Sequence, residues 1–213
     1  MKRILLFFLI SAGIMVNAQL MSGKEFQSKI NAIEQAKNAE SIDPLIHFFE
    51  NPSADTSNWE PAYYASYASL KQAQLYLRNG NSTAASNSIK RAEKNFQSII
   101  HLLPTNSEIR VLNAYLNISK ISANTSGNNE MFIKEAKELL YLKKNVDAAN
   151  PRMQLMRAQL NYVLGQTGKN LQAQFENAET ALKKFKPQSN LDPNWGLTDA
   201  AYYKSKLSTK TAK

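Results

Sequence analysis

The sequence predicts an all-α chain: a short α-solenoid of about three helical hairpins, with extra helices at both ends. Three observations predict it. Apolar residues recur at i, i+4 and i+7 along nearly the whole chain, and strand-like alternation scarcely occurs. Cap, proline and glycine signals cut that pattern into helix-length pieces. Pro104, Pro151 and Pro193 lie 47 and 42 residues apart, each after a long amphipathic stretch and its connection. Repetition on this scale points to stacked helix-turn-helix units, because one hairpin cannot bury its own apolar face.

The first eighteen residues stand apart from this pattern. Lys2 and Arg3 give a positive start, Ile4 to Ile10 is apolar, and Ile14 to Val16 extends the run. Val16-Asn17-Ala18 then offers a small-residue cleavage site, so residues 1–18 read as a secretory signal peptide with cleavage after Ala18. The apolar run is short for a hydrocarbon core about 30 Å thick. No cysteine follows it, which removes the thiol that a lipoprotein anchor needs. The expected compartment is the periplasm or the cell exterior. The helical domain is expected over 19–207, with a frayed tail over 208–213 and no integral membrane segment after cleavage.

The helices follow in order. Phe26, Ile30, Ile33 and Ala36 share a face of the first. Asp43-Pro44 reads as a cap and proline start for a short apolar helix, Leu45 to Phe49. Asn58 is placed to cap the next, which carries Trp59, Tyr63, Tyr67, Leu70 and Leu77 and stops at Asn79-Gly80-Asn81. Ala85, Ile89, Ala92, Phe96, Ile99 and Leu103 form the following stripe. Thr105 and Glu108 have capping-box spacing ahead of Ile109, Leu112, Tyr115, Leu116 and Ile121. A polar loop with Gly127 precedes Phe132, Ala136, Leu139 and Leu140. Asn150-Pro151 starts a helix with Met153, Met156, Leu160 and Leu164, closed by Gly165. Leu171, Phe175, Ala178, Leu182 and Phe185 complete the last long stripe, and a short terminal helix carries Tyr202 and Leu207.

Composition narrows the function. With no cysteine, an exported chain has no disulfide scaffold and its core must hold the fold alone. The formal charge is +9, or +7 once Lys2 and Arg3 leave with the signal peptide. Such a surface attracts anionic partners, but the basic residues are spread over the helices without an arginine-rich stripe, so no nucleic-acid partner is expected.

Ala92, Phe96, Ile99 and Pro104 sit at the intervals of a tetratricopeptide-repeat second helix, and the chain resembles that family there. Ala178, Leu182 and Phe185 repeat three of the positions, and Ala136 and Leu140 repeat two. The units are longer than the family's roughly 34 residues. The chain is also similar to small exported tetratricopeptide-like proteins of Bacteroidetes. The shared features are W-x-P-x-Y-Y (Trp59, Pro61, Tyr63, Tyr64), P-x-N-S-E-I (Pro104 to Ile109), A-N-P-R (Ala149 to Arg152) and P-N-W-G (Pro193 to Gly196). The resemblance implies a fold and a compartment and no particular activity.

Catalytic and metal chemistry find little support. His47 and His101 are the only histidines, and neither has a second ligand at i+3 or i+4 in a useful pattern. No serine sits in G-x-S-x-G. Glu135/Glu138 and Glu176/Glu179 are interleaved with lysines and read as solvated faces. Gly165 to Lys169 lacks the spacing and the preceding strand of a phosphate loop. No enzyme activity, cofactor or metal is therefore expected.

The aromatic run is more distinctive. Trp59, Tyr63 and Tyr67 read as core, with Trp195 capping the last hairpin. Tyr64, roughly 100° round the helix, is the candidate to line a partner-binding groove. Arg110 and Asn113 on the next first helix, and Gln154, Arg157 and Asn161 on the third, are the polar candidates. The expected function is non-catalytic binding of a peptide or protein partner in the cell envelope. The rival is a glycan- or polyanion-binding module that uses exposed tyrosines and the basic surface.

Overall fold

A computed structural model describes residues 23–51, 58–124, 129–142 and 150–211, with side chains to Ser208. The expected signal peptide, Gly127, Ala149 and the end of the expected tail lie outside the described residues. Among the described residues the chain is all-helical, with nine α-helices and no strand. They are α1 (Gly23–Gln35), α2 (Asp43–Glu50), α3 (Glu60–Arg78), α4 (Ser82–Gln97), α5 (Ser107–Ala123), α6 (Glu130–Lys137), α7 (Pro151–Val163), α8 (Lys169–Lys184) and α9 (Leu197–Thr211). No helix is long and apolar enough to cross a membrane, among the described residues.

The order of contacts follows the order of the chain. α3 packs along α4, α5 along α6, and α7 along α8, while α3, α5 and α7 touch one another in series. α2 lies against α3 at one end, and α9 lies against α8 at the other. Helix α3 is enclosed, with every residue from Tyr63 to Leu75 buried. Small residues make this possible. Ala65, Ser66, Ala68 and Ser69 let neighbouring backbones approach, and Ser66 Oγ donates to the Ala92 carbonyl of α4 at 2.9 Å. On α4 the expected stripe is buried as Ala85, Ile89, Ala92 and Phe96. A side chain of Phe96's size, removed from water this fully, contributes roughly 1.5–3 kcal/mol.

Caps fall where asparagine precedes a helix. Asn81 accepts from the Ala84 N–H at 3.0 Å, and Asn150 from the Arg152 N–H at 2.9 Å. Asn106 accepts from the N–H groups of Glu108 and Ile109 at 2.9 and 3.3 Å. This corrects the Thr105 capping box. Asn106 reaches the free donors directly, and Glu108 is drawn away by Arg152, which it meets at 2.6 and 2.9 Å. The expected Asp43 and Asn58 caps also do not form: Ile42 and Trp59 occupy the N-cap positions with no side-chain bond. Asp43 instead pairs with Arg91 of α4 at 2.6 Å. After α6 the backbone loosens into a π-turn, Glu138–Leu142. It exposes Tyr141 and leaves the Leu140 carbonyl free to accept from Arg157 Nε at 2.9 Å.

Candidate functional site

The face formed by α3, α5 and α7 carries a line of aromatic and charged side chains, and the chain's own segment from Pro193 to Asp199 lies on it. Trp195 Nε1 donates to Tyr63 Oη at 2.8 Å. The indole stacks on Tyr67 and Tyr115, with ring centroids 4.6 and 5.8 Å away. The Arg152 guanidinium sits 4.5 Å from the Phe185 ring centre and 6.0 Å from that of Trp195. Gly196 follows with φ +112°, and a Cβ there would meet Leu155 Cδ2 at 2.8 Å. Only glycine fits both the dihedral and the space. Its N–H and the Thr198 hydroxyl both donate to Glu34 of α1, at 3.3 and 3.0 Å, and Glu34 also accepts from the Tyr67 hydroxyl.

The charge at the end of this segment is fully enclosed. Asp199 is 0% exposed and bonds Lys71 Nζ at 2.6 Å and Arg78 Nη2 at 3.2 Å. Burial pushes the Tyr63, Tyr67 and Tyr115 phenols well above their ordinary value, so they remain neutral hydrogen-bonding groups. Trp195 therefore does not cap the last hairpin. It joins α3, α5 and α7 at the centre, because the chain turns back after Pro187 and lays this segment across them.

The predicted partner-binding residues divide into two groups. Tyr64 is 0% exposed, enclosed by Phe26, Phe49 and Tyr63, so its expected place at an open groove is corrected. The covering helices α1 and α2 supply the rings that close over it. Arg110 is also buried, with Nη2 turned to the Pro104 carbonyl at 3.4 Å. Asn113 is half-buried and accepts from Asn117 of its own helix at 3.1 and 3.4 Å.

Gln154, Arg157 and Asn161 come together. With Tyr141, Gln174 and Asn177 they line an open cleft of about 340 Å³ between α7, α8 and the π-turn. Asn161 Nδ2 donates to Gln174 Oε1 at 2.8 Å, and the Arg157 guanidinium lies 5.4 Å from the Tyr141 ring centre. Four amides, one guanidinium and an exposed phenol offer donors and acceptors in nearly equal measure. That set suits the backbone of an extended chain or a row of hydroxyls. Among the described residues of its lining, no nucleophile stands beside a base. Among the described residues no cluster of three or more His, Asp or Glu is placed to hold a metal ion.

A second cavity was not anticipated from the sequence. It measures about 180 Å³ and lies among α3, α5, α7 and α9, walled by Tyr115, Tyr162, Tyr202 and Tyr203 with Gln74, Arg78 and Gln159. A signal for it existed in α3, where Lys71, Gln74 and Arg78 continue the stripe begun by Tyr63 and Tyr67. Polar residues in a core stripe mark a polar interior. No protein-family model matches this chain, and no curated protein or solved structure matches it either.

Proposed function

We propose that this protein is an exported, non-catalytic α-solenoid of tetratricopeptide-like hairpins that binds a peptide or protein segment in the cell envelope. The convergence of Gln154, Arg157 and Asn161 with Gln174, Asn177 and Tyr141 in one open cleft carries the reading. An extended segment presents alternating N–H and C=O groups, and amide side chains pair with both. The serial order of hairpins and the close approach at Ala92 support the solenoid. The leader of residues 1–18 supports export. Recognition uses side chains of α7 and α8 in place of a groove along all the first helices, since Trp195 fills the middle of that row.

A photo-crosslinker at Gln154, introduced into the protein in its native envelope, tests the proposal. One protein partner should be captured from that position, and Arg157→Glu should abolish the capture. A crosslinker at exposed Lys90 on α4 should capture none of it. Recovery of polymer alone, with steep loss in salt, would favour the glycan or polyanion reading instead.

A further inference from the structure

The second cavity contains polar groups that the fold leaves unmatched. Gln159 of α7 is 0% exposed, and neither its Nε2 nor its Oε1 has a hydrogen-bond partner among the described residues. The Tyr115 hydroxyl, on a residue 2% exposed, is likewise unpaired. Each such group left dry costs about 1–3 kcal/mol, so the cavity must hold an occupant that hydrogen-bonds.

The walls define that occupant. Tyr162 and Tyr203 meet edge to face, with centroids 4.9 Å apart, and Tyr202 meets Tyr203 at 5.3 Å. Leu77, Ile118 and Val163 add apolar surface. Water alone would satisfy the floor but would leave these walls wet. Among the described residues the cation on the wall is Arg78, which bonds Asp199 and Gln74 Oε1 at 3.2 and 2.8 Å and covers a face of Tyr202 at 3.5 Å. These groups engage the guanidinium, and its buried Nε has no partner among the described residues, which makes it a further donor for the occupant. The volume of about 180 Å³ equals roughly six waters at about 30 Å³ each. It falls below the range of about 300–1,000 Å³ that takes drug-sized ligands.

We infer that this cavity is a binding site for one neutral pyranose sugar unit, with Gln159 and Tyr115 bonding its hydroxyls and the tyrosine walls receiving its C–H faces. A hydroxyl both donates and accepts, as the two free atoms of Gln159 require. A sugar ring also carries apolar faces that suit aromatic walls. Floor residues Gln159, Tyr115 and Ile118 are buried, whereas Ser122 at the rim is exposed, so one ring enters from the rim end first. The site goes beyond the peptide cleft, shares no residue with it, and stands or falls separately.

Calorimetry and saturation-transfer NMR on the whole protein test it, with D-glucose, D-galactose and N-acetyl-D-glucosamine as probes and sorbitol and acetamide as comparators. At least one pyranose should bind with a Kd near about 1 mM. Gln159→Leu should weaken it by about tenfold or more, since one buried hydrogen-bonding group is lost. Ser122→Trp, at the exposed rim, should block it without touching the core, which covers the case in which Gln159→Leu fails to fold. Partner capture at Gln154 should be unchanged in Ser122→Trp. Absence of pyranose binding overturns the inference. So does binding indifferent to Ser122→Trp, or equal binding by sorbitol or acetamide.

Discussion

The centre of the α3–α5–α7 face and the cleft at its α7–α8 end are built from similar side chains and have opposite fates. At the centre, tyrosines and three cations, Lys71, Arg78 and Arg152, are closed over by Trp195, Gly196 and Asp199. At the end, amides, Arg157 and Tyr141 stay open. Residue type does not separate them. The difference is whether another part of the chain comes back to cover the surface. At the centre the returning segment brings its own hydrogen bonds and counter-charge. At the end the π-turn leaves Tyr141 exposed, and no described segment covers it. A polar surface on a helix stack is therefore a binding surface only where the chain has not used it itself.

Alkaline pH should break the centre first. Tyr63, Tyr64, Tyr67, Tyr115 and Tyr203 all have phenol pKa values raised by burial above the ordinary 10.0. The unfolded chain ionises them near that value and the folded chain does not. Stability from these groups is thus complete below the ordinary value and falls as pH rises past it. The loss is up to about 1.4 kcal/mol per phenol for each pH unit. Denaturant midpoints followed by circular dichroism should collapse between about pH 10 and about pH 11. A flat profile there would mean the phenols are not enclosed.

Asp199→Ala comes next. It strands Lys71, which is 2% exposed, and removes the partner of Arg78. Breaking a buried pair in this way costs about 3–5 kcal/mol. Chemical denaturation would measure it, and the double change Lys71→Met with Asp199→Leu should recover much of the loss. Gly196→Ala should cost about 1–3 kcal/mol, because the new methyl meets Leu155 at a left-handed φ. Partner capture at the cleft should survive Gly196→Ala if the two regions are as separate as the structure makes them.

The periphery should respond less. Arg91 bonds Glu50 at 2.6 and 2.8 Å and holds its carboxyl down to about 2. A lowered folded pKa gives stability above the unfolded value of 4.5 that disappears as pH falls toward about 2. The pair is partly exposed, so Arg91→Gln should remove only about 1 kcal/mol near neutral pH and flatten the acid limb. Arg157→Ala should cost about 1 kcal/mol, through the lost bond to the Leu140 carbonyl, while removing partner capture. A large loss of stability there would move Arg157 from the surface to the fold.

Parts of this arrangement were legible in order along the chain. The stripes Phe26–Ile33, Ala85–Phe96 and Leu171–Leu182 follow helical spacing and are buried as that spacing requires. Asn150-Pro151 marks a cap that forms. Gln154, Arg157 and Asn161 share a helix face by spacing alone, and that face is the open cleft. Tyr64 and Arg110 were misplaced because the sequence does not say which helix will lie over a given face. The Thr105 box failed for a related reason: local spacing allowed it, and Arg152, 44 residues further on, competed successfully for Glu108.

Helix identity, helix order and the polar or apolar character of each face were set by the sequence, because caps and periodicity act within a few residues. The rest was decided by tertiary structure: that Trp195 lies at the centre, that Lys71 meets Asp199 across 128 positions, and that one tyrosine-walled cavity remains. Those contacts depend on the path of the chain after Pro187, and residues distant in sequence become neighbours only once the stack has formed a surface for that path to cross.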